Sequence, residues 1–269
     1  MKLFKPTTSS LRHLSLIDKS FLWKHSSFKP LVGTKLKHSG GRNNTGHITV
    51  FQHGGGSFSK LRIIDYKRTI YNIPATVVCI EYDPNRSSFI ALIYYINGVY
   101  SYILAPANIN TGQVLNTGIF SEVTFYLQVG NCTYLKYIPL GTIIHNIELV
   151  PSQGGRLIRA AGTSAQILKK YKNNLVLIKL KSGIKKLIPS NCKATIGAIS
   201  NADYRFINYG KAGRIRWLGI KPHVRAYAMN PVDHPMGGRT HGGKQLVTPW
   251  GLITKGRSTR HKALPIIKD

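Results

Sequence analysis

F-I-A-L-I-Y-Y-I-N-G-V-Y-S-Y-I-L-A, residues 89–105, decides the fold class. Two apolar runs rich in β-branched and aromatic residues, 89–96 and 99–105, meet at Asn97-Gly98. An Asn-Gly pair between such runs marks a two-residue hairpin, because both positions accept a positive φ. Working outward, A-T-V-V-C-I-E-Y (75–82) precedes the hairpin across the turn D-P-N-R (83–86), and G-Q-V-L-N-T-G (112–118) follows as a short strand between glycines. Short strands at this spacing predict a small barrel. A second group, S-A-Q-I-L-K-K-Y (164–171), N-L-V-L-I-K-L-K (174–181) and I-K-K-L-I (184–188), reads as a meander with turns at Asn173-Asn174 and Ser182-Gly183. Val176, Ile178 and Leu180 alternate with Leu177, Lys179 and Lys181, so one face is apolar and the other turns cationic, as in a half-buried strand. The boundary between the two units is expected between Gly130 and Gly141. No long helical periodicity and no internal repeat is evident.

Charge sets the class of partner. The 269 residues carry 38 Lys and Arg against 9 Asp and Glu, a formal net charge of +29. Like charges repel in a compact state, so an excess of this size makes sense only against a polyanion. Nucleic acid is the commonest one, and an anionic membrane surface is the rival. The charge is also segregated. Between residues 73 and 150 the only cations are Arg86 and Lys136, set against Glu81, Asp83, Glu122 and Glu148. The first 72 residues are basic, with Asp18 and Asp65 as their only acids, and in 205–268 Asp233 is the sole acid. A nearly neutral, apolar middle with basic flanks predicts a folded body carrying nucleic-acid-binding extensions.

Other classes fall away. No run reaches the ~18 apolar residues of a membrane span, and the start M-K-L-F-K-P-T-T-S-S has no apolar signal core. Cys79, Cys132 and Cys192 are widely spaced, with no C-x-x-C, which reads as three idle thiols rather than a disulfide framework or zinc ribbon.

Three basic or glycine-rich stretches are candidates for chemistry. In G-G-R-N-N-T-G-H-I-T-V-F-Q-H-G-G-G (40–56), glycines let backbone N–H groups approach phosphates, Arg42 can fork onto a phosphate or base edge, and Asn43 and Asn44 offer donors and acceptors. In G-K-A-G-R-I-R-W-L-G-I-K-P (210–222), Lys211, Arg214, Arg216 and Lys221 surround Trp217, which suits phosphate pairing with base stacking. In M-N-P-V-D-H-P-M-G-G (229–238), Asp233 beside His234 invites a general-base reading, but neighbours in an extended chain point to opposite sides and no serine or cysteine lies close by. His223, His234 and His241 match no zinc spacing. RNA-bound magnesium is the one metal left open, and no other cofactor is expected.

Taken in order, E-Y-D-P-N-R-S (81–87), Y-I-L-A-P (102–106), P-L-G-T-I-I-H-N-I-E (139–148), G-G-R-L-I-R-A-A-G-T (154–163), K-A-G-R-I-R-W-L-G (211–219), M-N-P-V-D-H-P (229–235) and V-T-P-W-G (247–251) resemble the bacterial-type large-subunit ribosomal protein L-two family. The resemblance runs from about Ser39 to about Arg257. It implies a mainly β chain: an OB-fold barrel followed by an SH3-like barrel, with extended basic N- and C-terminal arms. The expected divisions are a basic extension over 1–40, an OB-fold RNA-binding domain over 41–125, an SH3-like barrel over 126–204 and a Gly/Pro-rich basic extension over 205–269.

The resemblance further implies binding to large-subunit ribosomal RNA, contact with other ribosomal proteins and with the small subunit, and an arm that reaches toward the peptidyl transferase centre. Carried onto this chain, the matching arm residues are Asn230, Asp233, His234, Gly237 and Gly238, and the matching body residues are Arg86 and Arg159. Arg68, Arg156, Arg225 and Lys255 complete the expected RNA contacts. The chain departs from the family where H-P-M-G-G-R (234–239) replaces H-P-H-G-G-G, along T-H-G-G-K-Q (240–245), and at its end A-L-P-I-I-K-D, which lacks a strongly basic tail. Abundant Ile, Asn, Tyr and Lys fit an AT-rich organellar genome, and H-I-T-V-F-Q-H-G-G-G-S looks more like mitochondrial than plastid members, which points to a ribosome of the mitochondrial matrix. A scaffold is therefore expected, with no enzymatic activity of its own. The rivals are a general base at His234 in peptidyl transfer and a free-standing RNA-binding protein.

Overall fold

The computed structural model describes residues 1–35, 39–119, 127–238, 245–256 and 266–267. Glu122, His241 and most of the off-pattern segments 240–245 and 263–269 lie outside them. The chain separates into two compact units: Met1–Lys37 with Phe58–Lys211 and Pro265–Asp269, and His38–Ser57 with Ala212–Leu264.

The first unit opens with two short strand pairs. Strand β1 (Lys2–Leu3) pairs with β2 (Ser15–Leu16), and β3 (Val32–Lys35) pairs with β4 (Lys60–Arg62). An antiparallel sheet follows, made of β5 (Ala75–Glu81), β6 (Ile90–Tyr95), β7 (Tyr100–Leu104) and β8 (Val114–Leu115), in the order β7-β6-β5-β8. A hairpin forms at Asn97-Gly98, but with Tyr94 opposite Tyr100 and Tyr95 N–H bonded to the Val99 carbonyl its loop spans three residues, Ile96 to Gly98, and only Gly98 takes a positive φ, +86°. Strand β6 reads as a continuous apolar run because both its faces are covered. Ala91, Ile93 and Tyr95 pack with Leu22, Phe89 and Leu115, while Ile90 and Leu92 pack with Tyr102, Phe28 and Ile64. Each fully buried side chain of this kind contributes roughly 1.5–3 kcal/mol. The Ile64–Tyr102 bridge is parallel, and Asp65 N–H donates to the Tyr102 carbonyl at 2.8 Å, which curls the segment after β4 against β7.

A second sheet is built from β9 (Cys132–Tyr134), β10 (Ile143–His145), β11 (Ala165–Lys170), β12 (Leu175–Leu180), β13 (Lys185–Pro189), β14 (Lys193–Ile196) and β15 (Ile266–Ile267), in the order β15-β13-β12-β11-β10-β14-β9. It wraps a core of Leu135, Ile138, Ile144, Ile147, Ile167 and Ile178, all fully buried. The meander β11–β12–β13 has the turns read from sequence, with Asn174 at φ +59° and Gly183 at φ +84°. The architecture is mainly β: an OB-fold barrel followed by an SH3-like barrel. Strands β9, β10, β14 and β15 are additions to the sequence reading, which saw only the longer meander.

All three cysteines are free and buried. Burial pushes the Cys79 and Cys192 thiols up to about 12. No described helix is long and apolar enough to cross a membrane.

Candidate nucleic-acid interface

Within the first unit, two of the expected arginines converge on one tyrosine. The D-P-N-R turn is organised by Asp83, which is fully buried and accepts the Asn85 N–H at 2.9 Å. Arg86 Nε sits 2.7 Å from the other Asp83 oxygen, an ion pair whose N–H is not well aligned. Arg86 Nη1 then donates to the Tyr66 hydroxyl at 2.9 Å. From the second barrel, the Arg159 guanidinium lies over the Tyr66 ring, 4.7 Å from its centroid, and donates weakly to the Gly155 carbonyl at 3.4 Å. Gly155 N–H donates to the Tyr66 carbonyl at 2.9 Å. Tyr66 thus ties the cationic loops of the two barrels together. Arg159 and Arg156 face solvent, whereas Arg86 is half-buried.

The G-G-R-L-I-R loop is held in an unusual conformation. Ile158, a β-branched residue, takes φ +55°, which costs on the order of 1–3 kcal/mol and persists only where surroundings impose it. Its carbonyl accepts the Asn146 N–H at 2.9 Å. Glu148, nearly fully buried, anchors the same loop by accepting Gly154 N–H at 3.1 Å and Lys193 N–H at 3.0 Å. Lys193 Nζ lies 3.9 Å from Glu148 and donates to the Lys67 carbonyl and, at 3.1 Å, to the Tyr71 hydroxyl. Tyr66, which meets both arginines, and the buried pair Glu148 and Lys193, which holds the loop from behind, were not legible in the sequence, since nothing local marks them as partners of distant residues.

Arg68 stands apart. It is 2% exposed, with Nε and Nη2 donating to Thr117 Oγ1 at 3.0 and 2.8 Å. The structure places it inside the first unit, away from the surface an RNA contact requires. Lys211 lies exposed at the end of this unit.

The second unit joins two stretches far apart in sequence. Gly54 N–H donates to the Gly219 carbonyl at 2.9 Å, Ser57 N–H to the Trp217 carbonyl at 2.9 Å, and Lys221 N–H to the Gln52 carbonyl at 2.8 Å. Gly56 and Gly219 meet backbone to backbone: a Cβ on Gly56 would lie 2.7 Å from Gly219 N. These glycines therefore serve chain-to-chain approach rather than holding phosphate directly. Asn43 also has an internal task, since its Oδ1 accepts Thr45 N–H at 3.1 Å, Thr45 Oγ1–H at 2.8 Å and His47 N–H at 3.0 Å, closing the loop. Arg42 and Asn44 are exposed, as are Arg216, Trp217, Lys221, Arg225 and Lys255, with Arg214 half-buried. Arg214, Arg216 and Trp217 belong to the short helix Ala212–Trp217.

The M-N-P-V-D-H-P-M-G-G segment is a closed loop. Gly238 N–H donates to the Met229 carbonyl at 3.1 Å, and Asp233 and His234 N–H both donate to the Asn230 carbonyl, at 3.0 and 3.2 Å. Gly237 is required, because a Cβ there would lie 2.4 Å from the Asn230 oxygen. His234 is 6% exposed and its Nδ1 accepts the Met236 N–H at 3.1 Å, so its ring proton sits on Nε2. Asp233 is exposed, with no bond to His234 among the described residues. Met236, standing where the family has histidine, is buried at 2% exposure, and its sulfur accepts the Val247 N–H at 3.5 Å.

This sequence of barrels and loops matches known protein families. The model described as "Ribosomal Proteins L2, RNA binding N-terminal domain" matches residues 29–117, and "Ribosomal Proteins L2, C-terminal domain" matches residues 128–251. The chain belongs to the ribosomal protein L2 family. L2 relatives resemble it along nearly the whole length. The "Large ribosomal subunit protein uL2m" of Reclinomonas americana is 51% identical over 265 residues, covering 97% of this chain and 94% of that protein. The "Large ribosomal subunit protein uL2" of Rickettsia canadensis (strain McKiel) is 52% identical over 263 residues, with the same coverage. That of Rickettsia felis (strain ATCC VR-1525 / URRWXCal2) is 51% identical over 263 residues. The L2 N-terminal model ends where the structure ends the first barrel, just past β8, and the C-terminal model begins just before β9.

Proposed function

We propose that this chain is a structural constituent of the large ribosomal subunit that binds large-subunit rRNA. The observation that carries the reading is the identity of about half of all residues, over 97% of the chain, with proteins named for that subunit. The charge of +29 supports it, since rRNA supplies the polyanion that such a chain requires. Arg42, Arg86, Arg156, Arg159, Lys211, Arg214, Arg216, Lys221, Arg225 and Lys255 pair with phosphates in this reading, while Asn44, Trp217 and Asn230 meet bases or sugars. Arg68, Asn43, Gly237 and Gly238 shape the elements that present them. The loop around Asp233 and His234 buttresses the peptidyl transferase region, and the protein supports subunit association; both roles rest on the family resemblance. His234 acts as a neutral hydrogen-bonding strut in that loop. The compartment is the mitochondrial matrix, supported by the residue bias and by the relative from Reclinomonas americana, although bacterial relatives are as similar.

Sedimentation tests the reading. The protein should travel with large subunits through gradients at high salt, and the isolated chain should bind large-subunit rRNA with a steep fall of log K against log salt. A flat salt dependence, or release from the particle at moderate salt, overturns it in favour of a free-standing RNA-binding factor.

A further inference from the structure

Besides Trp217, the second compact unit exposes two large aromatic rings, Phe51 and Trp250. Trp250 sits on a small hairpin in which Val247 bridges Ile253 and Gly251 N–H donates to the Thr248 carbonyl at 2.9 Å. Gly251 takes φ +79°, and Leu252 N–H donates to Thr248 Oγ1 at 3.1 Å, so the turn that carries the indole is well tied. Its side chain is nevertheless 71% exposed. Phe51 lies on the turn just before Gln52, whose carbonyl is fixed by Lys221 N–H, and it is 52% exposed. The two ring centroids are 6.5 Å apart and the planes tilt by 48°. The rings therefore form an open wedge rather than a closed stack. At this spacing and tilt the rings touch each other as an ordinary aromatic pair, so a flat group stacks on their open outer faces rather than between them.

Charge identifies the occupant. The segments that make up this unit carry Asp233 as their only carboxylate, against eleven Lys and Arg. A protein partner with an aromatic-binding surface would bring its own charges into that field, whereas a nucleotide brings a compensating phosphate together with a flat apolar base. We propose that Phe51 and Trp250 form a stacking clasp whose open outer faces take one unpaired base of an RNA strand, with cations of the same unit on the flanking phosphates. This rests on the rRNA-binding reading and adds a stacking site to it. Stacking on an aromatic ring tolerates any base and gains most from purines, because it uses the π-face rather than the hydrogen-bonding edge.

Stacking and phosphate pairing leave different signatures. Loss of a phosphate-pairing cation lowers the slope of log K against log salt by about one, whereas loss of a stacking ring lowers affinity at every salt and leaves the slope alone. The test titrates full-length parent, Phe51→Leu, Trp250→Leu and Trp250→Phe against a transcript of large-subunit rRNA from 50 to 300 mM salt. The Leu variants should lose roughly 5- to 150-fold in affinity with an unchanged slope, and Trp250→Phe should recover most of it. Leu variants that bind as the parent does, or that lose affinity with a shallower slope, overturn the clasp. A photochemical cross-linking map of the parent chain on the same transcript needs no variant. It should place Phe51 and the 246–254 hairpin on one unpaired nucleotide, and cross-links to duplex RNA only, or in assembled subunits to another protein, refute the proposal. If the parent shows no salt-dependent RNA binding, the rRNA reading itself falls and the clasp falls with it. If the parent binds and only the clasp signatures fail, the rRNA reading stands.

Discussion

Acidification should destabilise this protein through one side chain, His145, by about 3 kcal/mol. The ring is 1% exposed on β10, and Nδ1 lies 2.8 Å from the Gly197 carbonyl. A carbonyl only accepts, so Nδ1 carries the proton and Nε2 is the unprotonated nitrogen. Burial, aided by the Arg68 guanidinium and opposed by the Gly197 hydrogen bond, holds the folded imidazole down at about 4 against an ordinary 6.5. The neutral form is therefore the folded form. Above 6.5 neither state takes up the proton and the full stability is present; as pH falls from 6.5 toward 4 the unfolded chain protonates first, and stability is lost. A gap of about 2.5 pH units at 1.36 kcal/mol each gives about 3 kcal/mol. The assay is urea unfolding of the parent and of His145→Asn from pH 7.5 to 4.5, since the Asn side chain can keep the donor to Gly197 but does not titrate. Glu81, whose carboxyl burial pushes upward, works in the opposite direction, but it is common to both proteins and cancels in the difference. The parent should lose about 2.5 kcal/mol more than the variant over this range, most of the full gap, and stability curves that run parallel would refute the argument.

Other outcomes follow from the same geometry. Arg159→Ala and Arg86→Ala should each weaken rRNA binding by about 1–3 kcal/mol in filter binding, but only Arg86→Ala should also lower thermal stability, because it strips the buried Asp83 of its cation. Gly237→Ala, whose Cβ would meet the Asn230 backbone, should cost at least about 1 kcal/mol and open the 229–238 loop to limited proteolysis. His234→Gln should leave the peptide-bond-forming rate of fully assembled particles within about tenfold, as a strut allows and a general base does not; a hundredfold loss in rapid-quench measurements would restore a catalytic reading. The three thiols should react with a maleimide at neutral pH only on unfolding, since all are buried and burial raises their pKa values.

The sequence revealed those parts of the fold that are local. The β5–β8 and β11–β13 strands are consecutive, long enough to show a pattern, and joined by turns such as Asn97-Gly98 and Ser182-Gly183 whose residues declare the geometry. Strands β9, β10 and β14 span three or four residues each and pair with partners far along the chain, so period alone could not find them. The same limit governs the interface. Basic composition pointed to the loops that face solvent, but it treated every cation alike. Arg68 lies beside Lys67 in sequence, yet its backbone, at φ +48°, turns its side chain inward onto Thr117. Asn43 looked like both donor and acceptor for RNA, and its acceptor oxygen is taken by its own loop. The apposition of Arg86 and Arg159 on Tyr66 is tertiary, and composition cannot encode it.

The Gly56–Gly219 contact sets a timetable. Residues 38–57 leave a translating ribosome early, and their complement begins only at Ala212, about 155 residues later. At roughly 5–20 residues per second, that is a wait of roughly 8–30 s. By its end Phe58–Lys211, with every strand of both barrels but the edge strand β15, is available, while the glycine-rich segment has no chain to lie against. A newborn molecule thus passes through a stage in which its first unit lacks only its last strand and its second unit is half made. Whatever polyanion occupies that segment first would template the docking of the final stretch, so that completion of the second unit becomes an event of particle assembly rather than of folding alone.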